Sequence, residues 1–259
     1  MRGVRVRLAA ATLLGAGLAV PVAAPPPAVA DPAGSADTAV APGRAVIGTE
    51  VIGRSVRGRA IPAFHLGQPG PGVPTVVLVS TMHGDERRTR HILTSLRDGA
   101  PVRGVDLWVV PTYNPDGFAR ATRHNARGVD LNRNYPTRWR RAEGRYDSGR
   151  APASEPETRA MMRFLRRVDP DYVLSFHQPL HGVDTLAKRP AFAQRVARTL
   201  RLPRKTFSCN GGCRGTMTMW FNATFRGVAL TVEYGARPAL RELRGPVARR
   251  VLRVFGAGR

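Results

Sequence analysis

Four side chains of this 259-residue chain have the types and the spacing of a catalytic metal site. His83 and Glu86 are three positions apart, and a second histidine, His177, and a glutamate, Glu233, follow at long range. Catalytic zinc is usually held by three nitrogen or carboxylate ligands, with the fourth position left for water. His83, Glu86 and His177 supply that number, so they are the predicted ligands of one Zn²⁺ ion per chain. Glu233 is then free to act as a general base.

The segments that precede these residues read as buried β-strands. Residues 75–81 form an apolar run that is too short for a helix and rich in β-branched side chains. Each predicted site residue lies at the end of such a run: His83 and Glu86 after residue 81, His177 after Phe176, and Glu233 after Val232. Ligands of open α/β sheets bind beyond the carboxyl ends of the strands. We therefore expect three strand ends to converge on one site.

Further motifs lie between the predicted ligands. The turn Asn114-Pro-Asp-Gly117 precedes the block Asp130-Leu-Asn-Arg-Asn134. Together with the His-x-x-Glu pair, the later histidine and the final glutamate, these motifs resemble the M14 zinc carboxypeptidases, in which all five occur in this order. Two other segments, Gly53-Arg54-Ser55-x-x-Gly58 and His177-Gln-Pro-Leu180, resemble the small bacterial branch of that family that includes the murein peptide amidases.

The resemblance implies roles for three residues of the Asp-x-Asn-Arg-Asn block. Asn132 and Arg133 combine an amide donor with a guanidinium fork, which suits bidentate capture of a carboxylate. They would bind the free carboxyl terminus of the substrate. Asp130 matches a carboxylate that accepts the free N–H of the first zinc histidine and fixes its tautomer. The alternative interpretation of Asp130 is a turn residue.

The resemblance also implies how the reaction is catalysed. In this family, an arginine shortly after the Asn-Pro-Asp-Gly turn stabilises the oxyanion, while the metal and the final glutamate activate water. Matching the segment Arg120-Ala-Thr-Arg123 to the Arg-x-x-Arg pattern of the family places the oxyanion role on Arg120. Arg123 and Arg127 remain competitors for that role. The implied reaction is hydrolysis of an amide bond next to a residue with a free carboxylate.

The segment between the last predicted ligand and the base differs from that of the digestive carboxypeptidases. Those enzymes have a mobile tyrosine there, and residues 207–215 contain none. This difference favours a carboxylate-bearing amide other than an ordinary protein C-terminus. The segment holds the two cysteines of the chain, Cys209 and Cys213. Outside the cytoplasm they would form a small disulfide, and two free thiols are the alternative.

The N-terminus has the layout of an export signal. Three arginines precede an apolar stretch over residues 8–20, and Ala28-Val-Ala30 then offers a small-residue cleavage site. The apolar stretch is too short, and too often broken by Gly and Pro, for the competing interpretation as a membrane anchor. We predict a signal peptide over residues 1–30, a flexible linker over 31–45 and a peptidase domain over 46–259, secreted or associated with the cell wall.

The chain is strongly basic. Its formal charge is +23, and removal of the three arginines of the signal leaves +20. Such a charge suits an anionic cell-wall polymer or acidic peptides as partners. The cations are nearly all arginine, which is also expected when a GC-rich genome biases the codons. The sequence has no nucleic-acid-binding motif, so the charge does not indicate that class of partner.

The periodicity predicts a single α/β domain. Strands are expected at residues 75–81, 106–113, 171–176 and 228–233, and helices near 86–97, 155–168, 191–200 and 245–255. Ser154-x-x-Glu157 predicts a capping box for the second helix. Alternating strands and helices indicate a sheet between two layers of helices, a three-layer sandwich. The family resemblance adds that the sheet is mixed.

These inferences predict a secreted zinc metallocarboxypeptidase that acts on peptides derived from the cell wall, such as diaminopimelate-containing muropeptides. Two alternatives use the same metal site, a general peptide carboxypeptidase and a zinc deacylase of N-acyl amino acids. A non-enzymatic alternative is a degenerate module that binds wall polymer through its basic surface. About one zinc per chain would favour the enzyme over the degenerate module.

Overall fold

The computed structural model describes residues 45–207 and 213–259. The predicted signal peptide lies outside the described residues, as does the predicted linker except for Ala45, which is buried. Cys209 lies outside them too. In the part of the chain that is described, no helix is both long enough and apolar enough to cross a membrane.

The described residues form one mixed sheet of eight strands. In chain order the strands are β1 (Val46–Arg54), β2 (Ala60–Gly67), β3 (Thr75–Ser80), β4 (Asp106–Val110), β5 (Tyr172–His177), β6 (Leu180–Asp184), β7 (Arg204–Lys205) and β8 (Val228–Gly235). Their order across the sheet is β1-β2-β4-β3-β5-β8-β6-β7. The four central strands β4, β3, β5 and β8 are parallel, and β2 and β6 flank them in antiparallel orientation. The carboxyl ends of β3, β5 and β8 therefore meet at one edge.

Helices cover both faces of the sheet. They are α1 (Arg90–Asp98), α2 (Pro115–Arg120), α3 (Pro156–Val168), α4 (Pro190–Leu200), α5 (Met217–Thr224), α6 (Leu240–Glu242) and α7 (Ala248–Val254), with a π-helical turn, Leu243–Val247, joining the last two. Successive side chains of a strand point to opposite faces. Accordingly, Leu78 and Leu174 pack with α1, α4 and α7, whereas Val77 and Val173 pack with α3 and α5. The predicted three-layer α/β fold is confirmed.

The four predicted strands are present as β3, β4, β5 and β8, and the structure adds the other four. The helix expected near 86–97 begins only at Arg90, because the residues before it form the loop that contains His83 and Glu86. The helix expected near 245–255 is α7, preceded by a π-helical turn that includes Pro246.

The predicted capping box at α3 is wrong. Glu155, not Ser154, is the N-cap residue, and its side chain makes no capping hydrogen bond. Ser154 Oγ donates instead to Glu155 Oε1 at 2.8 Å. The Glu157 carboxylate accepts from the backbone N–H of Val56 at 3.0 Å and from Asn125 Nδ2 at 3.1 Å. Tertiary contacts thus use both side chains that the local pattern assigned to the cap.

Candidate active site

The predicted site residues meet at the carboxyl ends of β3, β5 and β8. His177 and Glu233 are register partners on β5 and β8, and the loop after β3 contains His83 and Glu86. All four side chains are buried. The expected convergence of three strand ends is therefore present in the fold.

The turn Asn114–Gly117 supports the loop that holds His83. Asn114 Oδ1 accepts from Gly117 N at 2.9 Å and caps α2, and Asn114 Nδ2 donates to Met82 O at 3.2 Å. Gly84 packs directly on this turn, since a Cβ atom there would lie 2.0 Å from the carbonyl carbon of Gly117. A side chain at position 84 would therefore displace His83 from the site.

Gln178 joins the loops that follow the three strands. Its Oε1 accepts from Arg88 N at 3.0 Å in the loop after β3. Its Nε2 donates to Ala236 O at 2.9 Å, just after β8. Because Gln178 itself follows β5, one side chain fixes the relative positions of the segments that hold His83, His177 and Glu233.

Three side chains direct their metal-binding atoms towards one another. Glu86 Oε1 lies 2.7 Å from His83 Nδ1, and Glu86 Oε2 lies 2.8 Å from His177 Nδ1. The two Nδ1 atoms are 3.3 Å apart. Among the residues that the structure describes, His83, Glu86 and His177 are the one group of three side chains with the donor spacing of a metal site.

The outer nitrogen of each histidine has its own partner. His83 Nε2 lies 3.1 Å from Asp130 Oδ1, and His177 Nε2 lies 2.8 Å from Ser175 Oγ. These contacts fix the rings so that both Nδ1 atoms face the cluster. Asp130 therefore lies where the sequence predicted it. Ser175 was missed, although its position two residues before His177 on the same strand places it on the same face.

The electrostatics of the cluster favour a bound cation. Burial opposes protonation of His83, but Glu86 and Asp130 outweigh it and raise the pKa of His83 to about 9. Burial also opposes ionisation of Glu86, yet His83 and His177 lower the pKa of Glu86 to about 2. Two inward-facing imidazole nitrogens beside an ionised carboxylate are the donor set that zinc prefers, so these residues fit the predicted metal.

Glu233 lies next to the cluster, on β8. Its Oε2 accepts the backbone N–H of Leu180 at 3.2 Å. Burial raises the pKa of Glu233 above the ordinary value for glutamate, and the neighbouring His177 only partly offsets this. A carboxylate with a raised pKa is a better proton acceptor near neutral pH. The position and basicity of Glu233 both suit a general base.

Of the three arginines considered for the oxyanion role, the structure places Arg123, and not the predicted Arg120, in the cleft. Arg120 is exposed at the end of α2, where its Nη2 donates to Asn125 O at 3.0 Å, and it does not line the site. Arg127 is also exposed, 3.6 Å from Glu155. Arg123 lies in the cleft, with its Nη1 3.9 Å from Glu86 Oε1. The reason is that the chain reverses at Ala121, which has a φ of 52°, and so separates Arg120 from Arg123.

Asp130 holds Arg123 in this position. Its Oδ2 accepts from Arg123 Nε at 3.0 Å and from Arg123 Nη2 at 2.7 Å. Its Oδ1 faces His83 and accepts the backbone N–H of Asn132 at 2.9 Å. Burial opposes ionisation of Asp130, but His83 and Arg123 hold its pKa well below the usual range. One buried carboxylate therefore orients a metal ligand and an arginine together.

Asn132 and Arg133 line the same cleft. Asn132 Oδ1 accepts from Met217 N at 3.1 Å, which orients the side-chain amide and leaves its NH₂ group for another acceptor. Arg133 Nη1 donates to Asn132 O at 2.7 Å, and its guanidinium lies 5.0 Å from the centre of the Tyr146 ring. The Arg123 guanidinium is 5.5 Å from the same ring. Tyr146, which the sequence did not indicate, thus contacts both arginines.

The cleft has a volume of about 560 Å³. Its outer part includes Arg138 and Arg145, which are exposed. The lining also includes residues of β6, α5 and β8, namely Leu180, Asp184, Thr218, Met219, Asn222, Ala229, Leu230, Thr231 and Glu233. Cys213 also lines the cleft and is disulfide-bonded, whereas Cys209, the other half of the predicted disulfide, lies outside the described residues. The cluster of His83, Glu86 and His177 thus lies beside a substrate-sized space.

Comparison with known proteins identifies the class. The sequence profile of the zinc carboxypeptidase family, the M14 peptidases, matches residues 45–190, which is more than half of the chain. The chain therefore belongs to the M14 zinc carboxypeptidase family, as its motifs predicted. This family is one of zinc metallopeptidases.

Among its relatives is murein peptide amidase A of Escherichia coli K12, which is 34% identical over 145 residues. This match covers 50% of the chain and 59% of the relative, so the chain spans less than two thirds of that protein. Human carboxypeptidase D is 34% identical over 151 residues, which are 46% of the chain and 10% of that protein.

Solved structures show the same fold. Murein-tripeptide amidase MpaA from Escherichia coli O157 superposes with a TM-score of 0.67 at 27% identity, over 80% of this chain and 91% of that one. Carboxypeptidase A from Helicoverpa armigera gives a TM-score of 0.68 at 17% identity, over 82% of this chain and 68% of that one. At 17% identity, the second likeness supports the fold alone.

Proposed function

We propose that the protein is a secreted, zinc-dependent metallocarboxypeptidase that cleaves the amide bond before a residue with a free carboxylate in cell-wall peptides. The observation that supports this proposal is that His83 and Glu86 of the three-donor cluster line one cleft together with the buried Glu233 and with Asn132 and Arg133. Each part has its own chemical use, and a substrate in the cleft would contact all of them.

His83, Glu86 and His177 would hold the zinc ion. When bound, zinc supplies a Lewis acid that polarises the scissile carbonyl and lowers the pKa of water. Glu233 accepts a proton from the attacking water and returns it to the leaving amine. Arg123 Nη1 has no hydrogen-bond partner among the described residues and lies beside Glu86, so it can donate to the developing oxyanion.

Asn132 and Arg133 would bind the terminal carboxylate of the substrate. The amide of Asn132 and the guanidinium of Arg133 present N–H donors to the same cleft. Because both are fixed by backbone contacts before the substrate arrives, little entropy is lost when the carboxylate binds. This pair therefore sets the requirement for a free carboxylate next to the scissile bond.

A wall-derived peptide is the proposed substrate. The similarity to murein peptide amidase A supports this choice. The exposed Arg138 and Arg145 at the outer cleft favour peptides that have several carboxylates. Diaminopimelate-containing stem peptides meet both conditions, and an anionic wall polymer is a suitable partner for the basic surface.

Export and the disulfide are part of the proposal. The sequence of residues 1–30 has the pattern of a cleavable signal peptide. Cys213 is disulfide-bonded, which suits an oxidising compartment outside the cytoplasm. Mass spectrometry of the protein secreted by its native host would test both points, since it should find cleavage after Ala30 and a Cys209–Cys213 disulfide.

A hydrolysis screen of the zinc-loaded mature protein tests the activity. The substrates are muropeptides, peptides that end in Leu, Phe or Lys, and N-acyl amino acids. We expect cleavage of muropeptides with release of a residue bearing a free carboxylate. Efficient cleavage of the simple peptides alone would identify a general carboxypeptidase, and cleavage of N-acyl amino acids alone would identify a deacylase. A protein that binds no zinc and cleaves nothing would be a degenerate binding module.

A further inference from the structure

A pocket of about 350 Å³ lies at the end of β8, on the face of the sheet that is turned away from the catalytic cleft. Glu233 lines the cleft, whereas the next residue, Tyr234, lines this pocket, because successive side chains of a strand point to opposite faces. Among the residues that the structure describes, the pocket and the cleft share no lining residue. A ligand in this pocket would therefore use groups that the proposed reaction does not use.

The hydroxyl group of Tyr234 is buried and has no hydrogen-bond partner in the described part of the chain. Only 6% of this residue is exposed, and its ring lies in the core with its centroid 6.5 Å from that of Phe176. Buried hydroxyl groups are nearly always hydrogen-bonded, because the loss of water is otherwise uncompensated. The Tyr234 hydroxyl is therefore a donor that a ligand of the pocket can use.

Three arginines line the same pocket, namely Arg201 after α4, Arg237 in the turn after β8 and Arg250 on α7. Within residues 45–207 and 213–259, none of their side chains makes a salt bridge or a hydrogen bond. Arg250 lies close enough to Tyr234 to offset part of the rise in pKa that burial gives the hydroxyl. The acidic lining residue, Glu242, is exposed. Positive charge therefore exceeds negative charge around the free hydroxyl donor.

The pocket also has an apolar wall. Its lining includes four buried aliphatic side chains, Leu200 and Leu202 at the end of α4, and Leu243 and Val247 of the π-helical turn. Apolar surface of this kind is favourably covered by an apolar group, which an inorganic ion does not supply. The arginines and the hydroxyl, in contrast, suit an oxyanion, which accepts several hydrogen bonds. The ligand that matches the whole pocket has both parts.

We infer that this pocket is a second binding site, which takes a small organic anion made of a carboxylate on a short apolar body. Tyr234 donates its hydroxyl proton to the carboxylate, and Arg250 with its neighbouring arginines supplies charge-assisted hydrogen bonds. The aliphatic side chains contact the apolar body. The site does not depend on the proposed peptidase activity, because it lies on the other face of the sheet.

Equilibrium dialysis of the zinc-loaded protein with radiolabelled hexanoate tests this inference. Two unlabelled competitors separate the parts of the ligand: hexanamide has the apolar body without the charge, and inorganic phosphate has the charge without the apolar body. We expect each to compete at least roughly tenfold less well than unlabelled hexanoate, since each lacks one set of contacts. The cleft also binds carboxylates, so the titration is repeated with Arg133→Ala, which should bind hexanoate as tightly as the wild-type protein.

Two variants test the polar contacts. Tyr234→Phe removes only the hydroxyl group and should weaken hexanoate binding by roughly three- to tenfold, the range of one neutral hydrogen bond. Without hexanoate its Tm should not fall, because no hydrogen bond within the protein is lost. Arg250→Ala should weaken binding by roughly ten- to a hundred-fold, the range of a charge-assisted hydrogen bond.

Arg249→Ala is the matched control, since it removes the same charge from the preceding residue of α7, which is exposed and does not line the pocket. It should keep the affinity for hexanoate. The inference is overturned if the wild-type protein does not bind hexanoate, or if hexanamide or phosphate competes as well as hexanoate does. Normal binding by both Tyr234→Phe and Arg250→Ala would also overturn it. So would loss of binding in Arg133→Ala, because the anion would then occupy the cleft.

Discussion

Replacement of Arg123 by alanine should remove most of the catalytic rate. Its Nε and Nη2 atoms bind Asp130, which leaves Nη1 beside Glu86 for the oxyanion. Loss of one preorganised oxyanion donor typically lowers kcat by roughly 10²- to 10³-fold. We therefore expect kcat/KM for a wall peptide to fall by that factor in Arg123→Ala.

The same substitution should also reduce stability, because Asp130 is fully buried. Removal of one partner from a buried ion pair costs about 3–5 kcal/mol. Asp130 keeps its contacts to His83 and to the backbone N–H of Asn132, so we expect the lower end, about 3 kcal/mol. Urea denaturation of the zinc-loaded proteins measures this difference.

Arg120→Ala is the matched control for catalysis. Arg120 is exposed, and its side chain donates a hydrogen bond to Asn125 O, away from the cleft, so its loss should leave kcat/KM near the wild-type value. Arg123→Lys keeps the positive charge but loses the guanidinium fork, so its kcat/KM should lie between the values for Arg123→Ala and Arg120→Ala. Steady-state kinetics without denaturant, at a temperature well below the Tm of each protein, separates effects on catalysis from effects on folding. Near-normal kcat/KM in Arg123→Ala, or an equal loss in Arg120→Ala, would refute the assignment.

Three further predictions concern the substrate, the metal and pH. Arg133→Ala should lower kcat/KM, mainly by raising KM, with a loss of transition-state stabilisation of about 2–3 kcal/mol. A peptide with an amidated C-terminus should be cleaved equally poorly by the wild-type protein and by the variant. Ser175→Ala should weaken zinc binding roughly 10- to 100-fold in a chelator competition, because the His177 ring loses its outer partner. Burial raises the pKa of Glu233, and protonation of this base stops the reaction. As the pH is lowered, the midpoint of the fall in kcat/KM should therefore lie above about 4.3, the ordinary pKa of glutamate. An acidic limb at or below that value would contradict the third prediction.

The sequence predicts the centre of the sheet well for a physical reason. β3 and β5 are buried on both faces, so each is a nearly continuous apolar run whose end is easy to locate. β1 and β2 lie towards one side of the sheet, and β1 alternates between half-buried and exposed residues. β6 and β7 lie at the other side and are short. Weak apolar patterns of this kind left these four strands unpredicted.

The predicted metal ligands could be found from the sequence because their residue types and their order along the chain are distinctive. His83, Glu86 and His177 lie together because each lies at or just after the carboxyl end of a strand in the parallel centre of the sheet. Arg120 was misassigned because spacing alone does not reveal the left-handed residue at Ala121, which reverses the chain. Contacts that depend on register across the sheet, such as the position of Asp184 beside β8, are not encoded in any local pattern.

The most direct test of the central claim compares the wild-type protein with Glu233→Gln on a diaminopimelate-containing stem peptide. Both proteins should contain about one zinc per chain, because Glu233 is not one of the three predicted ligands. We expect the wild-type protein to release the terminal residue, and the variant to be slower by roughly 10²- to 10⁴-fold, the usual contribution of a general base. Near-normal turnover by Glu233→Gln with zinc bound would contradict the claim that this cluster and this glutamate form the catalytic centre.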